Sequence, residues 1–448
     1  MTTRKEPYFK KLLDEEIFLH KYEKRQKADI CLVFPASYSV AMSSLGYIAV
    51  HDKLMQEGLH TDRAFIDEKL GLYAIESRRL ISTYRFLFVS LYLEEHLLYF
   101  IEMLRKLNIE PLSEKRESHF ILAGGPLVDL LPGIISRIAD GIYKGPLTDE
   151  GIDAIRGFCK NPKKNFDFEN CNGSNKVDAC GNVITPNSHF PEKFLIEIQK
   201  GCPHGCKFCS ASRSSLGFID RDFYLLNVKH ARKFTDKIGL VGLALHTHPL
   251  WKELLKETVE LGYSIGTSSL RFDMLDNDIL DLLKKGKMKT VSTGLETGSR
   301  KLLEMTGKGF NSEDFLSFAE RLKKTNMESL KLYLIIGLPL ETEADIIETA
   351  ELMNSFNSIY KGRIEISINP MVPKRNSVWK DASFIERRDY RKRIDILKTN
   401  IKNKRISFNI ESYRSSQVMY LLNKMQDNEL EDLCYDKAFF RKKEGKYG

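Results

Sequence analysis

Three cysteines lie within eight residues, at Cys202, Cys206 and Cys209, directly after a short apolar run. Thiolates are soft ligands that select zinc or iron–sulfur clusters. A structural zinc site takes four ligands, usually as two separated pairs, and no second pair follows at zinc-finger spacing. His204 lies between the cysteines but could not easily turn back to the same metal. Three thiolates suit a cubane iron–sulfur cluster whose fourth iron stays open for a non-protein ligand.

The neighbours of the cysteines fit a loop that wraps around a cluster. Gly201 and Gly205 allow the chain to turn tightly. Phe208, just before the last cysteine, could shield a cluster from water. A zinc site and a chance group of buried cysteines stay open as alternatives. The density of thiols favours the iron–sulfur cluster.

Regular elements must hold the ends of this loop, and the sequence predicts them from Glu192 onward. Apolar segments of strand type alternate there with amphipathic helices. The predicted strands are Phe194–Ile198, Gly239–Leu245, Ser264–Ser268, Thr290–Thr293, Ser329–Ile336 and Ile364–Ile368. Six such units predict a partial (β/α)6 barrel of the TIM type, whose sites lie at the carboxyl ends of the strands.

The fold class predicted for the whole chain is α/β. Apolar strands such as Phe86–Leu91 and Phe120–Ala123 predict a Rossmann-like open parallel sheet over residues 1–148. Residues 149–190 are predicted to be a polar linker or insert, since Asn161–Ser188 is rich in Asn and Gly and lacks periodicity. The barrel is expected over residues 191–380, and a small, basic, helical C-terminal region over residues 381–448.

The cysteine motif resembles the signature of the radical S-adenosylmethionine (SAM) superfamily. Cys202, Cys206, Phe208 and Cys209 match its Cys-x3-Cys-x2-Cys pattern with an aromatic residue before the last cysteine. The resemblance implies a 4Fe–4S cluster held by the three cysteines, with SAM chelated at the open iron. It further implies one-electron cleavage of SAM to a 5′-deoxyadenosyl radical, and an electron donor such as flavodoxin or ferredoxin.

Other stretches resemble the same superfamily and supply candidate SAM contacts. Glu296 follows the fourth predicted strand, and Ser269 and Arg271 follow the third, where they could meet the ribose or the carboxylate of SAM. Loop capping or core packing is the alternative for these three residues.

The fifth predicted strand also matches the superfamily. Gly337, Pro339 and Glu341 resemble its Gly-x-Pro turn, near which the adenine of SAM rests in the family. Ser367–Trp379 resembles the sixth strand region.

One superfamily motif is absent. Gly-Gly-Glu after the second strand, which holds the SAM amino group, is replaced by Gly242–Trp251. This stretch contains His246 and His248, two residues apart and therefore on one face if the strand continues. They either face the site as a proton relay or substrate contact, or are satisfied histidines at the strand end.

A Rossmann-like domain before the barrel resembles the cobalamin-binding branch of the superfamily, which includes uncharacterised members. The likeness covers roughly residues 28 to 380. The branch's Asp-x-His-x-x-Gly, whose histidine can bind cobalt, is missing, and His51 and His60 do not sit in that pattern. Cobalamin therefore either binds without a protein ligand, or the domain only shapes a substrate pocket.

The composition fits a soluble globular protein. The 448 residues are 42 % hydrophobic and 29 % charged, with a net charge of +8. The most apolar window, Tyr84–Met103, is interrupted by Glu94, Glu95 and His96, so we expect no membrane span and a cytoplasmic location. The mild positive charge permits an anionic partner without demanding one. The basic stretch after Asp381 either touches phosphate or is a solvated helix, which leaves nucleic acid open as a partner.

The remaining cysteines match no compact ligand motif. Cys159, Cys171 and Cys180 lie in or beside the polar segment and are expected to be free thiols. Cys31 is expected in the core, and Cys434 lies in a charged tail.

Three functions compete. The first is a radical SAM enzyme that performs cobalamin-assisted methylation of an unactivated carbon. The second is a methylthiotransferase-like modifier of RNA or protein, which normally has three cysteines in its first domain, whereas Cys31 is the only cysteine here before Cys159. The third is a cluster- or zinc-bearing nucleic-acid-binding module that uses the basic tail. The sequence assigns neither a substrate nor a catalytic residue.

Overall fold

The computed structural model describes residues 6–22, 27–166, 168, 176–436 and 439. The chain divides into two compact units. The first unit runs up to Glu197 and also includes Lys229–Thr235 and Met425–Phe439. The second contains Ile198–Val228 and Asp236–Lys424. Cys171 lies outside the described residues, so the expectation that it is a free thiol stays a prediction.

The first unit is built on a five-stranded parallel sheet. The strands up to the unit boundary are β1 (Ile17–Phe18), β2 (Ile30–Phe34), β3 (Thr61–Phe65), β4 (Phe86–Ser90), β5 (Phe120–Gly124), β6 (Gly141–Ile142) and β7 (Val183–Ile184). The large sheet has the order β3-β2-β4-β5-β6, and its neighbours pair in parallel. Strands β1 and β7 form a separate antiparallel pair. This confirms an open parallel sheet.

Helices connect these strands, as the alternating pattern predicts. They are α1 (Glu6–Asp14), α2 (Tyr38–Ala41), α3 (Leu45–Gln56), α4 (Glu94–Lys106), α5 (Leu127–Leu130), α6 (Pro132–Ser136) and α7 (Asp149–Lys160). Helix α4 shows why they form: acidic residues begin it, basic residues end it, and its apolar residues face the core.

The segment predicted as a linker folds in part with the first unit. Thr148 is the N-cap of helix α7, and its hydroxyl accepts a hydrogen bond from the Gly151 amide at 3.1 Å. Its buried side chains Ile152 and Phe158 belong to the core of this unit, together with Val183 of β7. The compact units divide near residue 197, and the domain bounds predicted at residues 148 and 191 stay a prediction. A few apolar residues spaced along a polar segment are enough to bind it to a core.

The second unit contains the predicted strand–helix alternation. Its first strand, β8 (Phe194–Cys202), begins in the last residues of the first unit. The strands that follow are β9 (Ser214–Phe218), β10 (Lys237–Gly242), β11 (Ser264–Thr267), β12 (Thr290–Glu296), β13 (Ser329–Ile336), β14 (Arg363–Pro370) and β15 (Ile406–Ile410). Hydrogen bonds join them as β11-β10-β8-β9 and as β12-β13-β14-β15. Strand β9 runs antiparallel to β8, and β12 to β15 pair in parallel.

Helices follow the barrel strands as expected for a barrel of this type. They are α8 (Arg221–Ala231), α9 (Trp251–Glu260), α10 (Asn277–Lys285), α11 (Arg300–Thr306), α12 (Ser312–Lys324), α13 (Glu343–Ile359), α14 (Arg387–Asn400) and α15 (Tyr413–Lys424). All six predicted barrel strands are present, and the α/β fold class is confirmed. Strand β10 ends at Gly242, three residues earlier than predicted, whereas β12 continues to Glu296.

The C-terminal region is mostly helical, as predicted, but it adds strand β15 to the sheet beside β14. The last helix, α16 (Leu430–Tyr435), belongs to the first unit. There the Arg105 guanidinium donates to the carbonyls of Leu433, at 2.5 Å, and Cys434. Among the described residues, no helix is both long and apolar enough to span a bilayer.

Candidate functional site

The three motif cysteines come together at the carboxyl end of β8. Cys202 is the last residue of this strand, and Cys206 and Cys209 lie in the loop that leads to β9. All three are free thiols of intermediate exposure. They therefore lie where barrel folds place their sites, as the sequence predicts.

A sharp turn before Cys202 sets the start of this cysteine loop (residues 202–209). Gly201 has φ +78°, a conformation that glycine adopts without strain. A β-carbon at this position would lie 1.9 Å from the carbonyl oxygen of Ser215 on β9. The Cys202 amide donates to Oγ of Ser214 at 2.9 Å, so the hairpin partner holds the first cysteine directly.

Two more distant loops hold the middle of the cysteine loop. The Lys207 amide donates to the Thr306 carbonyl at the end of α11 (2.9 Å), and the Trp379 amide donates to the Lys207 carbonyl (3.1 Å). Gly307 has φ +72°, and a β-carbon there would lie 2.9 Å from the Gly205 carbonyl oxygen. The loop is thus fixed through its backbone at three places.

Phe208 holds the loop by apolar contact. It packs against a small buried cluster of Leu302, Leu338 and Met371, and its ring lies 6.5 Å from that of Trp379. These residues come from the ends of three different barrel segments. This packing accounts for an aromatic residue before the last cysteine, while its predicted role toward a cofactor stays a prediction.

The thiols of Cys206 and Cys209 hold their protons in the absence of a metal. Burial raises the pKa of Cys206 and Cys209, and the nearby Lys308 ammonium acts in the opposite direction on both. A thiol that coordinates a metal is deprotonated outright. Three free, half-buried thiols on one anchored loop therefore fit a 4Fe–4S cluster as ligands.

A single metal ion fits this loop poorly. Among the described residues, no three His, Cys, Asp or Glu side chains are close enough to hold one ion. Tetrahedral zinc would require its ligands to converge on one point at about 2.0–2.3 Å. A cluster is a larger body that takes one thiolate at each of three corners, so it does not need this convergence.

Glu296 lies close to the cysteine loop at the end of β12. It has φ +70° and follows an irregularity in the pairing of β12 with β13. Its Oε1 accepts a hydrogen bond from the Lys308 ammonium at 2.7 Å, and the same ammonium donates to the Gly294 carbonyl at 2.6 Å. A β-carbon on Gly294 would lie 2.1 Å from this carboxylate oxygen, so glycine lets Glu296 fold back. Among the described residues, Arg78 and Lys287 also have positive φ, so the conformation alone does not identify a functional residue.

Arg271 joins the same group of charges, whereas Ser269 does not. The Arg271 guanidinium donates to both carboxylate oxygens of Asp273 (3.1 and 2.7 Å) and to the Lys308 carbonyl (2.7 Å). Ser269 is exposed beyond the end of β11. The sequence did not predict Asp273, which lies two residues from its partner Arg271, or Lys308, whose partners lie on other segments of the chain.

The two histidines after β10 do not share a face, contrary to the expectation for a continuing strand. The strand ends at Gly242, and Leu245–Thr247 forms a 3₁₀ turn. Nε2 of His248 lies 3.3 Å from the Ile219 carbonyl, and its Nδ1 accepts from the Leu250 amide at 3.0 Å. His248 is therefore a satisfied structural residue.

His246 instead contacts the cysteine loop. Its Nε2 lies 2.9 Å from Nε2 of His204, and the two rings stack with centroids 5.1 Å apart. Burial, the neighbouring His204 ring and Arg271 lower the pKa of His246 to about 4. Because His246 is neutral at pH 7, a hydrogen bond forms when one ring donates and the other accepts.

The turn after β13 is built around Glu341. Its carboxylate accepts hydrogen bonds from the amides of Gly337 (2.9 Å) and Leu338 (3.4 Å) and from the Arg393 guanidinium (2.7 Å). Gly337 has φ +92°, and a β-carbon there would lie 2.8 Å from Ile385. Glu341 thus fixes a turn whose predicted role is to receive the adenine.

Gln199 is a further structural residue that the sequence analysis missed. Its Oε1 accepts from the Ala244 amide at 2.7 Å, and its Nε2 donates to the carbonyls of Lys200 (2.8 Å) and Gly201 (2.7 Å). The side chain therefore ties the start of the cysteine loop to the turn after β10. Nothing in the local sequence of a buried strand signals this contact.

The sheet of the first unit has a second candidate site. Its strand order is β3-β2-β4-β5-β6, so the chain adds β3 on one side of β2 and β4 on the other. In such parallel sheets, ligands bind at the carboxyl ends of the two strands where the direction of addition changes, here β2 and β4. Val40 and Leu93, shortly after these ends, are 36 % and 50 % exposed although apolar. Single apolar residues on a protein surface are common, so the site is suggested by the strand order alone.

No predicted histidine lies at this edge. His51 is in helix α3, and His60 precedes β3, at the opposite end of the strands. His96 follows β4, but it is buried, and its Nδ1 accepts the Tyr92 amide at 3.3 Å. Burial lowers its pKa to about 4.

The comparison with protein families agrees with the interpretation of the cysteine motif. The model of the Radical SAM superfamily matches residues 196–353, from β8 to α13. This stretch forms a radical SAM domain. Enzymes with a radical SAM domain use a 4Fe–4S cluster and SAM.

Several relatives have similar sequences. An uncharacterized protein of Methanocaldococcus jannaschii, MJ0966, is 25 % identical over 431 residues, or 91 % of each chain. The uncharacterized methyltransferase PH0819 of Pyrococcus horikoshii is 25 % identical over 37 % of this chain and 38 % of its own. A tRNA-2-methylthio-N(6)-dimethylallyladenosine synthase of Pelagibacter ubique is 23 % identical over 65 % of this chain and 66 % of its own.

A solved structure shows the same fold over most of the chain. The cobalamin-dependent SAM radical enzyme OxsB, with aqua-cobalamin and SAM bound, aligns with a TM-score of 0.51 and 14 % identity. The alignment covers 92 % of this chain but 56 % of OxsB, so the chain spans a little over half the length of that enzyme. The likeness extends from the radical SAM domain into the first unit.

Proposed function

We propose that the cysteine loop holds a 4Fe–4S cluster through Cys202, Cys206 and Cys209, and that the chain uses SAM beside it for cobalamin-assisted methylation of an unactivated carbon. The observation that carries the first part is the loop itself, with three free thiols fixed by backbone contacts from three sides. The cluster, once bound, would supply the electron that cleaves the sulfonium of SAM.

The protein's own residues would position SAM. Glu296, Arg271 and Lys308 gather charged groups near the cysteines, since they act on the pKa of Cys206 or Cys209. An amino acid moiety such as that of SAM carries both an ammonium and a carboxylate group. The Glu296 carboxylate suits the first, and the Arg271 and Lys308 cations suit the second.

The turn after β13 would receive the adenine. Gly337 and the backbone around it are held rigid by Glu341, which leaves the turn preformed before any ligand arrives. Phe208 would keep the loop packed and limit water access near the last cysteine. Ser269, which is exposed, is the weakest of the proposed SAM contacts.

Support for cobalamin comes from the first unit. Its sheet has a switch point at the carboxyl edge, and its fold aligns with that of a cobalamin-dependent enzyme. The methyltransferase named among the relatives is consistent with methyl transfer. Since His51 and His60 lie away from this edge, cobalamin would bind without a histidine ligand from either of them.

Methylthiotransfer is the second candidate, because a tRNA-modifying enzyme of that class aligns with 65 % of the chain. A second cluster would need further thiols close together. Cys31 is buried within β2, and burial raises the pKa of Cys159 and of Cys180 to about 12. Among the described residues of the first unit, no group of three metal-ligating side chains is found that would hold a metal, which supports a single cluster.

The test is the iron and cobalt content of protein purified anaerobically with cobalamin supplied. One cluster and one cobalamin predict about four irons and one cobalt per chain, together with 5′-deoxyadenosine release from SAM after reduction. About eight irons without cobalt would favour methylthiotransfer. Retained SAM cleavage after replacement of Cys206 by Ala would refute the role of the loop.

A further inference from the structure

The outward side of helix α14 carries a row of basic side chains. We call this set the basic face; it consists of Arg387, Arg388, Arg391, Lys392 and Lys398, all exposed. At 3.6 residues per turn, Arg387, Arg391 and Lys398 lie within about 40° of one another around the helix. Most of these residues also line a shallow depression along the helix, in which Asp395 is the acidic member.

The remaining arginine of α14, Arg393, is not part of the basic face. Arg393 turns inward and donates to the carboxylate of Glu341 at 2.7 Å. Lys392 pairs with Glu343 at 2.5 Å. Across the part of the chain that the structure describes, neither a hydrogen bond nor an ion pair engages the side chains of Arg387, Arg388 or Arg391.

Some of these positions are unfavourable for a helix, although Asp389 in the first turn and Lys398 in the last turn suit the helix dipole. Arg387 and Arg388 stand in the first turn, where the helix dipole favours acidic residues. Arg387 with Arg391, and Arg388 with Lys392, are like charges four residues apart, which repel each other on a helix surface. A ligand of opposite charge would relieve the repulsion within these two pairs.

We propose that the basic face of α14 binds the phosphate backbone of RNA. From Arg387 to Lys398 the row extends about 17 Å, enough to follow several phosphates of one strand. Guanidinium groups bind phosphate oxygens in pairs, and they have no competing partner here among the described residues. The chain's net charge of +8 acts in the same direction.

The face is suited to the backbone of RNA, not to its bases. Among the described residues of α14, no large apolar or aromatic side chain is exposed on which a base could stack. The binding is therefore expected to depend on salt and to be independent of sequence. It does not rest on the proposed reaction, since it needs neither cluster nor cobalamin.

The test measures fluorescence anisotropy of a labelled, unmodified transfer RNA with the full chain, as NaCl rises from about 50 to 300 mM. The variant R387E/R388E/R391E is compared with K256E/K285E/K324E, which makes the same charge change on helices α9, α10 and α12. The α14 variant should bind at least ten-fold more weakly at low salt. Its slope of log K against log salt should be smaller by about two to three, since each phosphate contact contributes about 0.7–0.9. The matched control should behave like the unmodified protein.

Two results would overturn the proposal. The first is unchanged RNA binding by the α14 variant, and the second is an equal loss in both triple variants, which would indicate net charge alone. If RNA binding is unchanged but binding to an acidic electron-donor protein such as flavodoxin is lost, α14 is a protein-docking face instead. Circular dichroism melts check that the variants fold, and R387Q/R388Q/R391Q replaces the first variant if it does not.

Discussion

A methyl group added at Gly201 gives a sharp test of how the cysteine loop is built. In Gly201→Ala, the new β-carbon would lie 1.9 Å from the Ser215 carbonyl oxygen and 2.7 Å from its carbon. Such contacts need at least about 3 Å, so β9 must shift by roughly 1 Å relative to β8. The residue would also have to keep φ +78°, a left-handed conformation that costs about 1–2 kcal/mol for alanine.

The shift also threatens the hydrogen bond from Cys202 to Ser214, and such a bond contributes about 1 kcal/mol. The total destabilisation of the loop is therefore expected to be about 2–4 kcal/mol. Because Cys202 moves with the turn, we expect the variant to incorporate well under half of the iron that the unmodified chain takes up. Iron per chain after anaerobic reconstitution, and thermal melting of the apo protein, measure the two effects.

Gly205→Ala is the matched control within the same loop. A β-carbon on Gly205 would meet the Arg213 guanidinium at 3.4 Å, an ordinary contact with the end of a flexible side chain. This variant should load iron like the unmodified protein. Equal loading of both variants, or a greater loss at Gly205, would refute the argument from the turn.

Three further predictions concern carboxylates in the second unit. Burial alone would raise the pKa of Asp345, but hydrogen bonds from its neighbours outweigh this and hold it below its usual range. Its contribution to stability is thus present above about pH 4 and lost as pH falls further, so Asp345→Asn should flatten the acid side of a plot of melting temperature against pH. Glu341→Gln leaves Arg393 facing an amide and should lower the free energy of unfolding by about 2–4 kcal/mol in urea denaturation; a loss below about 0.5 kcal/mol would contradict the role of Glu341. Lys308→Met should cost about 3 kcal/mol, and adding Glu296→Gln should recover part of it; an additive double variant would show that the two charges do not interact.

The sequence predicts the strands of the radical SAM domain well, because they are apolar and separated by amphipathic helices. The run Ser329–Ile336 is observed with the same bounds as predicted. The end of β10 was misplaced, since the apolar residues after Gly242 look like more strand. A hydrogen bond from the Ala244 amide to the buried Gln199 side chain helps to turn the chain there, and a contact between residues 45 positions apart leaves no local signal.

Strand β3 was missed for a related reason. It contains Asp62 and Arg63, yet all five of its residues are buried. Arg63 is neutralised by Glu16 and Glu76, each at 2.6 Å. A buried charge is tolerated when it is paired in this way, but its partners cannot be recognised before the fold is known.

Which residues of the candidate site lie together could likewise be predicted only where they are close in sequence. Its thiols are found from spacing alone, because cluster ligands must follow one another on a short loop. Arg271 and Asp273 follow β11, Glu296 ends β12 and Lys308 follows α11, and only the fold shows that they meet. Their meeting has a physical consequence for the thiols.

Loss of three thiol protons would add three negative charges to a half-buried loop, and such charges are costly unless cations lie near. Two cations, on Arg271 and Lys308, do lie near, and each lowers the pKa of Cys206. In the free site their charges are balanced by Asp273 and Glu296. The two ion pairs therefore keep cations beside the cysteines in advance, and they allow the acids to turn to another positively charged group when the thiolates form. Under the proposed function, SAM would be such a group, since it carries an ammonium and a sulfonium.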